Sequence, residues 1–288
     1  MLSDIPTGNI DGSVIKNIVK PRDPFTHKGD YGHACLFGGS IGMMGAAVLA
    51  VKACLRSGTG KVTVYTPGIG YDIMQISAPE AMTNIAGDKF INSAIDIHKF
   101  DSLGIGPGLG LYESHKDLLQ NVFSSFRNPI VIDADALNII AENKDLLKML
   151  PEGSILTPHK IEFERLFGKT DTDAKCSELA MEISHKYKIY VVLKGHHTSI
   201  TTPEKKIWLN TTGNAGMATG GSGDVLTGIL TGLLAQNYSC LDACLLGVYL
   251  HGLAGDIAAE KFSQQAMIAG DIINCLGEAF KSVDDGID

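Results

Sequence analysis

The sequence predicts an α/β fold, a three-layer α/β/α sandwich with a mostly parallel central sheet. Short apolar runs with strand character alternate with segments of helical periodicity along most of the 288 residues. Glycine-rich or polar stretches directly follow several of these predicted strands. Hydrophobic residues make up 44% of the chain and charged residues 19%, which supplies ample core for this architecture.

The N-terminal segment up to residue 28 is rich in Pro, Asp and Gly, and we expect it to run over the surface. Apolar runs then predict strands at residues 34–37, 62–65, 102–105, 130–132, 154–156 and 189–193. The segments between them have apolar residues at helical spacing. Helices are predicted to begin near Ala46 and to cover residues 71–77, 112–123, 136–141, 161–167 and 173–187.

The last third of the chain has a different pattern. Residues 199–202 and 206–209 flank Pro203-Glu204 and predict a hairpin at one edge of the sheet. The remainder is almost wholly helical, with helices predicted over residues 225–236, 241–260 and 265–280. No internal repeat, low-complexity tract or linker interrupts this order, so we expect one domain over residues 1–288.

Composition and charge exclude several classes of protein. The net charge of -8 argues against a nucleic-acid partner, although backbone amides can still hold the phosphates of a nucleotide. The six cysteines include no Cys-x-x-Cys pair, so we expect reduced core cysteines and a cytoplasmic protein. The N-terminus lacks the order of a secretory signal. Lys52 and Arg56 interrupt the apolar stretch at 46–55, and no membrane-spanning segment is expected.

Five glycines stand within residues 213–223, directly before an apolar helical run that begins at Val225. Glycines at this density let backbone N–H groups approach a ligand closely, because no Cβ intervenes. A helix that begins near Asp224 would point its free N–H groups, with their partial positive charge, back into the glycine loop. We therefore predict a site for a phosphate or a developing anion here.

Asp224 itself has two interpretations, which the local sequence leaves open. A carboxylate at a helix start is commonly a cap. Beside a bound phosphate, it would repel its neighbour unless it took a proton from a hydroxyl that attacks phosphorus. Ser222 is not interpreted as a hydrolase nucleophile, because Gly220-Gly-Ser-Gly-Asp224 lacks the Gly-x-Ser-x-Gly spacing.

Two other glycine stretches follow predicted strands. Residues 38–45 lack the Gly-Lys-Ser/Thr of a P-loop, and a tight turn explains them as well as a binding role does. The string Gly104-Ile-Gly-Pro-Gly-Leu-Gly110 resembles a dinucleotide fingerprint. Its spacing and its late position in the chain argue against that interpretation.

Acidic side chains follow the strand predicted at 130–132. Asp133 ends this buried strand, so its charge should have a partner. Asp135 is expected to be the N-cap of the next helix. Ligands of parallel sheets lie beyond the carboxyl ends of the strands, and we expect the motifs that follow strands to gather on one rim.

Two polar motifs follow later strands. His159 and Glu162 are three residues apart and share a helix face, but they are too few for a zinc site. We prefer a polar contact between His159 and a substrate. Lys194, which is followed by Gly195, is either a nucleotide contact or a solvated lysine at a strand end.

Taken together, these segments resemble the ADP/ATP-dependent NAD(P)H-hydrate dehydratases, which have the ribokinase-like fold. The resemblance runs over about residues 32–270. It rests on Gly106-Pro-Gly-Leu-Gly110, Asp133-Ala-Asp-Ala-Leu-Asn138, Leu193-Lys-Gly-x-x-Thr198, residues 213–226 and His251-Gly-Leu-Ala-Gly-Asp256. The sequence departs from the family at His159-Lys-Ile-Glu162, where the family more often has His-Pro-Gly-Glu.

The resemblance implies a reaction. The substrate is NADH or NADPH hydrated across a nicotinamide-ring double bond; ADP or ATP phosphorylates the new hydroxyl, and loss of phosphate restores the reduced cofactor. Mg²⁺ bridges the nucleotide phosphates. This single-domain chain looks bacterial, which favours ADP. Relatives suggest a homo-oligomer, a tetramer, and the family's often fused epimerase domain suggests a separate NAD(P)H-hydrate epimerase as a partner.

The resemblance also implies roles for individual residues. Asp224 is the base that activates the hydroxyl, and Glu162 is an outer-shell Mg²⁺ residue. The transferring phosphoryl group contacts the N–H groups of Gly221, Ser222 and Gly223. The nucleotide is held by Lys194, Gly195, His196, His197, Thr198 and Gly223. The hydrate is bound by Ala46, Gly108, His159 and Asp224.

Two other functions are compatible with the fold. A small-molecule kinase would keep its phosphorylated product, and His159 in place of the Asn of sugar and thiazole kinases argues against it. The second is a nucleotide-binding regulatory module without catalysis. Asp224 argues against it, because a protein that only binds a nucleotide gains nothing from a carboxylate that faces phosphate.

Overall fold

The computed structural model describes residues 7–92 and 96–284. The first six residues of the segment expected on the surface lie outside this range. The strands run β1 Thr7–Ile10, β2 His33–Phe37, β3 Lys61–Thr66, β4 Met82–Ile85, β5 Ser102–Ile105, β6 Ile130–Ile132, β7 Ile155–Leu156, β8 Tyr190–Leu193, β9 Ser199–Thr201 and β10 Ile207–Asn210. The helices run α1 Gly12–Lys16, α2 Met44–Arg56, α3 Tyr71–Ser77, α4 His115–Ser125, α5 Ala134–Glu142, α6 Lys160–Phe167, α7 Asp173–Tyr187, α8 Ser222–Ala235, α9 Cys240–Phe262 and α10 Ala269–Asp284.

These strands form one sheet in the order β1-β10-β9-β8-β7-β6-β5-β2-β3-β4. Neighbours are parallel except for β9, which is antiparallel to both β8 and β10. The predicted α/β architecture with a mostly parallel sheet is confirmed.

Successive side chains of a strand point to opposite faces of the sheet, so a buried strand contributes side chains to the hydrophobic cores on both faces. In β6, Val131 packs into the core beneath α8, α9 and α10, whereas Ile130 and Ile132 pack beneath α4 to α7. A third cluster joins α2 and α3 to β2 and β3. The strands are buried on both faces, which explains their continuous apolar sequences.

The N-terminal segment differs from the prediction. The segment was expected to run over the surface, but residues 7–10 form β1, which pairs in parallel with β10, and α1 follows. Ile10 and Ile15 are fully buried. The predicted β9–β10 hairpin is present, but β1 covers it, so the hairpin is not at the sheet edge.

Helix α9 also differs from the prediction. It is long and apolar enough to cross a membrane by length and composition, although no such segment was expected. Of the 18-residue stretch of α9 with the highest mean hydropathy, 61% is buried within the protein. Because α9 packs against α8 and α10, we interpret it as a core helix.

Candidate functional site

The candidate site is a cleft of about 740 Å³ at the carboxyl ends of the strands, in front of the N-terminus of α8. This is the rim on which the sequence motifs were expected to meet. Its lining includes Asp133, Ala134, His159, Lys194, Gly195, His196, Thr198, Asn210, Thr212, Gly213, Asn214, Met217, Gly221, Ser222, Gly223, Asp224, Leu226, Val248, His251 and Gly252.

The glycine loop shapes the start of α8. The N-cap is Gly221, whose φ of 91° is in the left-handed region that favours glycine. A Cβ built at Gly221 would lie 2.4 Å from Leu49 Cδ1, so the helix start packs directly on α2. Gly221, Ser222 and Gly223 at this helix start line the cleft, and the free N–H groups of a helix start are suited to bind an anion.

Asp224 is the third residue of α8 and lines the cleft. One interpretation of the sequence was that Asp224 caps this helix. The structure does not support it, because Gly221 occupies the N-cap position. Burial and the nearby Asp133 raise the pKa of Asp224 to about 7, and Lys194 partly opposes this rise. A carboxylate with this pKa is suited to accept a proton near neutral pH.

Lys194 and Asp133 form an ion pair beneath the start of α8. Lys194 Nζ lies 2.8 Å from Asp133 Oδ1. Burial opposes the charge on Lys194, but the carboxylates of Asp133 and Glu162 outweigh burial and raise the pKa of Lys194. The structure thus supplies the partner that the buried charge of Asp133 requires. Lys194 is a cleft residue rather than a solvated lysine.

His159 and Glu162 meet at the start of α6. His159 Nδ1 accepts a hydrogen bond from the Glu162 N–H at 3.2 Å, and Glu162 Oε2 accepts from the His159 N–H at 2.8 Å. His159 lies on the cleft wall. The preceding residue, Pro158, is joined to the end of β8, because its carbonyl accepts a hydrogen bond from the Lys194 N–H at 2.9 Å. Glu162 lies behind it, and burial raises the pKa of Glu162.

Helix α9 holds both ends of the glycine loop. His251 Nε2 donates to the Ser222 carbonyl at 2.9 Å, and burial lowers the pKa of His251 to about 4. Asp256 accepts from the Gly213 N–H at 2.8 Å and from Asn214 Nδ2 at 2.9 Å. His251 is therefore neutral at physiological pH, and its ring N–H is assigned to Ser222.

Most of the predicted site residues line this cleft, but four of them do not. His197 is at the exposed β8–β9 turn, and Glu162 is behind His159. Ala46, in the first turn of α2, lies beside Gly108, which follows β5: a Cβ on Gly108 would be 3.1 Å from the Cβ of Ala46. The prediction that Asp135 caps α5 is wrong, because Asp133 is at the N-cap and Asp135 accepts from the Gly110 N–H instead.

The sequence reasoning missed the far wall of the cleft. Asn210 is the last residue of β10 and Thr212 lies two residues beyond it, whereas Val248, His251 and Gly252 lie on α9. A signal existed for α9 only. Polar His251 and Asp256 interrupt the apolar middle of this helix, and buried polar groups require partners.

The donor groups allow one kind of magnesium site. Among the described residues, no group of three or more His, Cys, Asp or Glu side chains could hold a metal ion. Mg²⁺ commonly arrives on substrate phosphates and keeps several waters, so it needs only one or two protein carboxylates. The residues fit an ion carried by a nucleotide and do not fit a cage built from protein ligands alone.

The fold and the cleft first define a class, the ribokinase-like proteins. A crystal structure of the Bacillus subtilis ADP/ATP-dependent NAD(P)H-hydrate dehydratase, co-crystallised with ATP/Mg²⁺, has a TM-score of 0.84 at 31% identity and covers 97% of this chain and 99% of that one. Ribokinase from Cryptococcus neoformans in complex with ADP has a TM-score of 0.60 at 15% identity, with 86% of this chain and 99% of that one covered. This second likeness shows the fold alone.

Within that class, the chain belongs to the NAD(P)H-hydrate dehydratase family, whose model matches residues 34–277. The ADP-dependent (S)-NAD(P)H-hydrate dehydratase of Neisseria meningitidis is 36% identical over 89% of this chain and 87% of its own length. The bifunctional NAD(P)H-hydrate repair enzyme Nnr of Moorella thermoacetica is 39% identical over 93% of this chain. The chain spans about half the length of such bifunctional relatives, 52% in this case. The family resemblance inferred from the motifs is confirmed.

Proposed function

We propose that the protein dehydrates hydrated NADH or NADPH at the expense of a nucleotide. The observation that carries this proposal is that one cleft brings together the N–H groups of α8, the ammonium of Lys194 and the carboxylate of Asp224, whose pKa is about 7. The family match and the relatives named as dehydratases support it.

Asp224 takes the proton of the ring hydroxyl as its oxygen attacks the terminal phosphorus of the nucleotide. The bond from that phosphorus to its bridging oxygen breaks, and the shortened nucleotide leaves. The phosphate ester then departs from the ring as inorganic phosphate while the ring loses a proton, which restores the double bond. Hydroxide is a poor leaving group and phosphate is a better one. The nucleotide supplies the phosphoryl group that converts the ring hydroxyl into this better leaving group.

The remaining predicted residues take supporting roles. The N–H groups of residues 221–223 stabilise the transferring phosphoryl group, because they are fixed before it arrives. The β8–β9 turn, residues 194–198, binds the nucleotide phosphates. Ala46 and Gly108 bind the hydrate on the β2 and β5 side of the rim, and His159 contacts it from the cleft wall.

We propose ADP as the nucleotide and Mg²⁺ as its counter-ion. The relatives from Neisseria meningitidis and Bacillus subtilis are named ADP-dependent, and the Bacillus subtilis structure was obtained with ATP/Mg²⁺. Mg²⁺ carried by the nucleotide would neutralise phosphate charge. The resemblance assigns the water ligands of this ion to Glu162, whose buried carboxylate lies near enough to Lys194 and Asp133 to interact with both.

The activity is tested by incubating the protein with NADH hydrate, ADP and Mg²⁺ and following the near-ultraviolet absorbance of NADH. Recovery of that absorbance with one AMP and one phosphate per NADH is the expected result. A stable phosphorylated product without NADH would instead identify the small-molecule kinase. Binding of ADP without any turnover would identify the regulatory module. Parallel assays with ATP and with NADPH hydrate determine both preferences.

We also propose that residues 1–288 work as one domain in a cytoplasmic homo-oligomer, a tetramer. The free cysteines of the described chain support a reducing compartment. Exposed apolar side chains on α3 and on the edge strand β4, including Ile73, Ile76, Met82 and Ile85, support contact with a second copy. Sedimentation of the wild type and of Ile76→Glu tests this: the substitution should lower the mass. As a partner we propose an NAD(P)H-hydrate epimerase activity that supplies the reactive hydrate isomer, since relatives such as the Moorella thermoacetica enzyme are bifunctional.

A further inference from the structure

Asp133 is a buried carboxylate with both oxygens engaged. Its Oδ1 accepts from Lys194 Nζ at 2.8 Å, and its Oδ2 accepts from Thr227 Oγ1 at 2.7 Å. Asp133 is 1% exposed and Thr227 is fully buried. A carboxylate fixed at two points cannot rotate without losing a buried hydrogen bond, so the position of the ammonium is fixed with it.

Three elements meet at this carboxylate. Asp133 directly follows β6, Lys194 directly follows β8, and Thr227 lies in the second turn of α8. The start of α8 sits directly on the ion pair, because a Cβ built at Gly223 would lie 3.1 Å from Lys194 Nζ. The ammonium is therefore held beneath the first turn of α8, which lines the cleft.

A lysine side chain has several rotatable bonds, and an unrestrained ammonium would not keep one place. In the described structure, Asp133, Glu162 and Asp224 are the carboxylates that favour the charged form of Lys194. Of these, Asp133 is the one in direct contact. Fixed charges stabilise a transition state best when they need no rearrangement as it forms.

We infer that Asp133 and Thr227 are positioning residues, which fix the Lys194 ammonium under the anion-binding turn of α8 for the nucleotide's phosphates. The inference rests on the proposed function for its catalytic consequence, but its effect on nucleotide binding does not require turnover. Asp133 and Thr227 act through Lys194.

The test uses Thr227→Val, which keeps the shape and the net charge but removes the donor to Asp133. The matched control is Thr231→Val, one turn further along α8. Thr231 is also fully buried, but its hydroxyl donates to the Thr227 carbonyl of its own helix. Affinity for ADP is measured by calorimetry without NADH hydrate, kcat by the dehydration assay, and stability by thermal melting.

Thr227→Val should weaken ADP binding several-fold and lower kcat on the order of 10–100-fold, the size typical for loss of an outer partner of a site. Thr227→Ser, which restores the hydroxyl, should recover most of both losses. Thr231→Val should leave both quantities near wild type. Equal ADP affinity and kcat in the two valine variants would overturn the inference, and so would a failure of the serine variant to restore them.

Asp133→Asn is a second variant, and it keeps the proposal testable if Thr227→Val does not fold. A kcat at least tenfold lower in a protein that still melts cooperatively supports the inference, and an unchanged kcat overturns it. The two proposals fail differently. A wild type that does not restore NADH, but whose ADP affinity depends on the Thr227 hydroxyl, refutes the dehydratase and leaves the positioning role intact.

Discussion

Asp224 illustrates how position gives one residue type different tasks. It is the third residue of α8 and faces a cleft, whereas Asp271 is the third residue of α10 and accepts a hydrogen bond from the Ile268 N–H at 2.9 Å. Both are acidic residues in a first helical turn, where a carboxylate is favoured. The pKa of about 7 distinguishes Asp224 as a group that can exchange a proton at neutral pH.

We expect Asp224→Asn to lower kcat on the order of 10²–10⁴-fold, the usual contribution of a general base, while ADP affinity is kept. The amide has almost the same shape but cannot take the proton. Asp271→Asn is the matched control and should lose some stability but no activity. Dehydration assays and ADP titrations of both variants measure this; full activity in Asp224→Asn would remove the residue from the mechanism.

The pH dependence of the rate has a definite sign. Asp224 works as a base only when it is ionised, so kcat/KM should rise with pH up to about pH 7 and level off above it. Below that pH, the rise should be about tenfold per unit. A rate profile from pH 5 to pH 9 measures it. A profile that is flat through pH 7, or that falls with rising pH there, would contradict the assignment.

At the scale of elements, the start of α8 depends on Gly221. Gly221→Ala should destabilise the fold by about 1 kcal/mol or more, because alanine is strained at φ 91° and its Cβ would clash with Leu49. It should also weaken ADP binding, since the N–H groups of the first turn would shift. Gly168→Ala is the control: Gly168 also has positive φ, but no neighbour lies within 4 Å of its Cβ position, and it is outside the cleft. Loss of ADP affinity in both variants would indicate a general effect of instability.

Helix α9 offers a second test at this scale. Asp256→Ala removes the acceptor for the Gly213 N–H and for Asn214 Nδ2, both of which order the glycine loop. We expect the Kd for ADP to rise on the order of tenfold, with a smaller change in kcat. Asp242→Ala, at the opposite end of α9, removes a contact with Ser239 far from the loop and should leave the Kd unchanged. Calorimetry on both proteins compares them directly.

The sequence predicts the buried elements well and the exposed ones poorly. The parallel strands are apolar on both faces, so short apolar runs mark them, as with Ile130–Ile132. Strand β4 escaped prediction because it is an edge strand with exposed Met82 and Ile85 and no alternation. Strand β1 escaped because its pairing with β10 is a contact about 200 residues away in sequence, which no local pattern encodes.

The candidate site also contains residues that the sequence could predict and residues that it could not. Residues that directly follow strands or precede α8 could be predicted from the sequence, since their place on the rim follows from the topology. The contributions of α9 depend on how that helix packs across the glycine loop. The Thr227–Asp133 contact joins residues 94 apart, and Thr227 has no sequence feature that separates it from any other buried threonine.

At the scale of the whole molecule, the topology gathers the site. The carboxyl ends of β6, β7 and β8 place Asp133, His159 and Lys194 along one cleft, and the start of α8 lies against Asp133 and Lys194. A charged cluster of this kind opposes stability, because each carboxylate is taken out of water. The stability of the fold should therefore depend on pH through the same groups that we propose for the reaction.

The signs for Asp224 and His251 are opposite. The pKa of Asp224 rises from 3.8 unfolded to about 7 folded, so between these values the folded state binds more protons and stability falls as pH rises. The pKa of His251 falls from 6.5 to about 4, so stability is lost as pH falls through that window. The two effects partly cancel in the wild type.

Asp224→Asn removes only the effect of Asp224, and its gain in unfolding free energy over wild type should grow from pH 4 to pH 7 and stay constant above. Urea unfolding at pH 5 and pH 8 measures that gain. An equal gain at both values would mean that Asp224 is as easily ionised in the folded protein as in the unfolded chain, and the cleft would then lack the environment that a base of this kind requires.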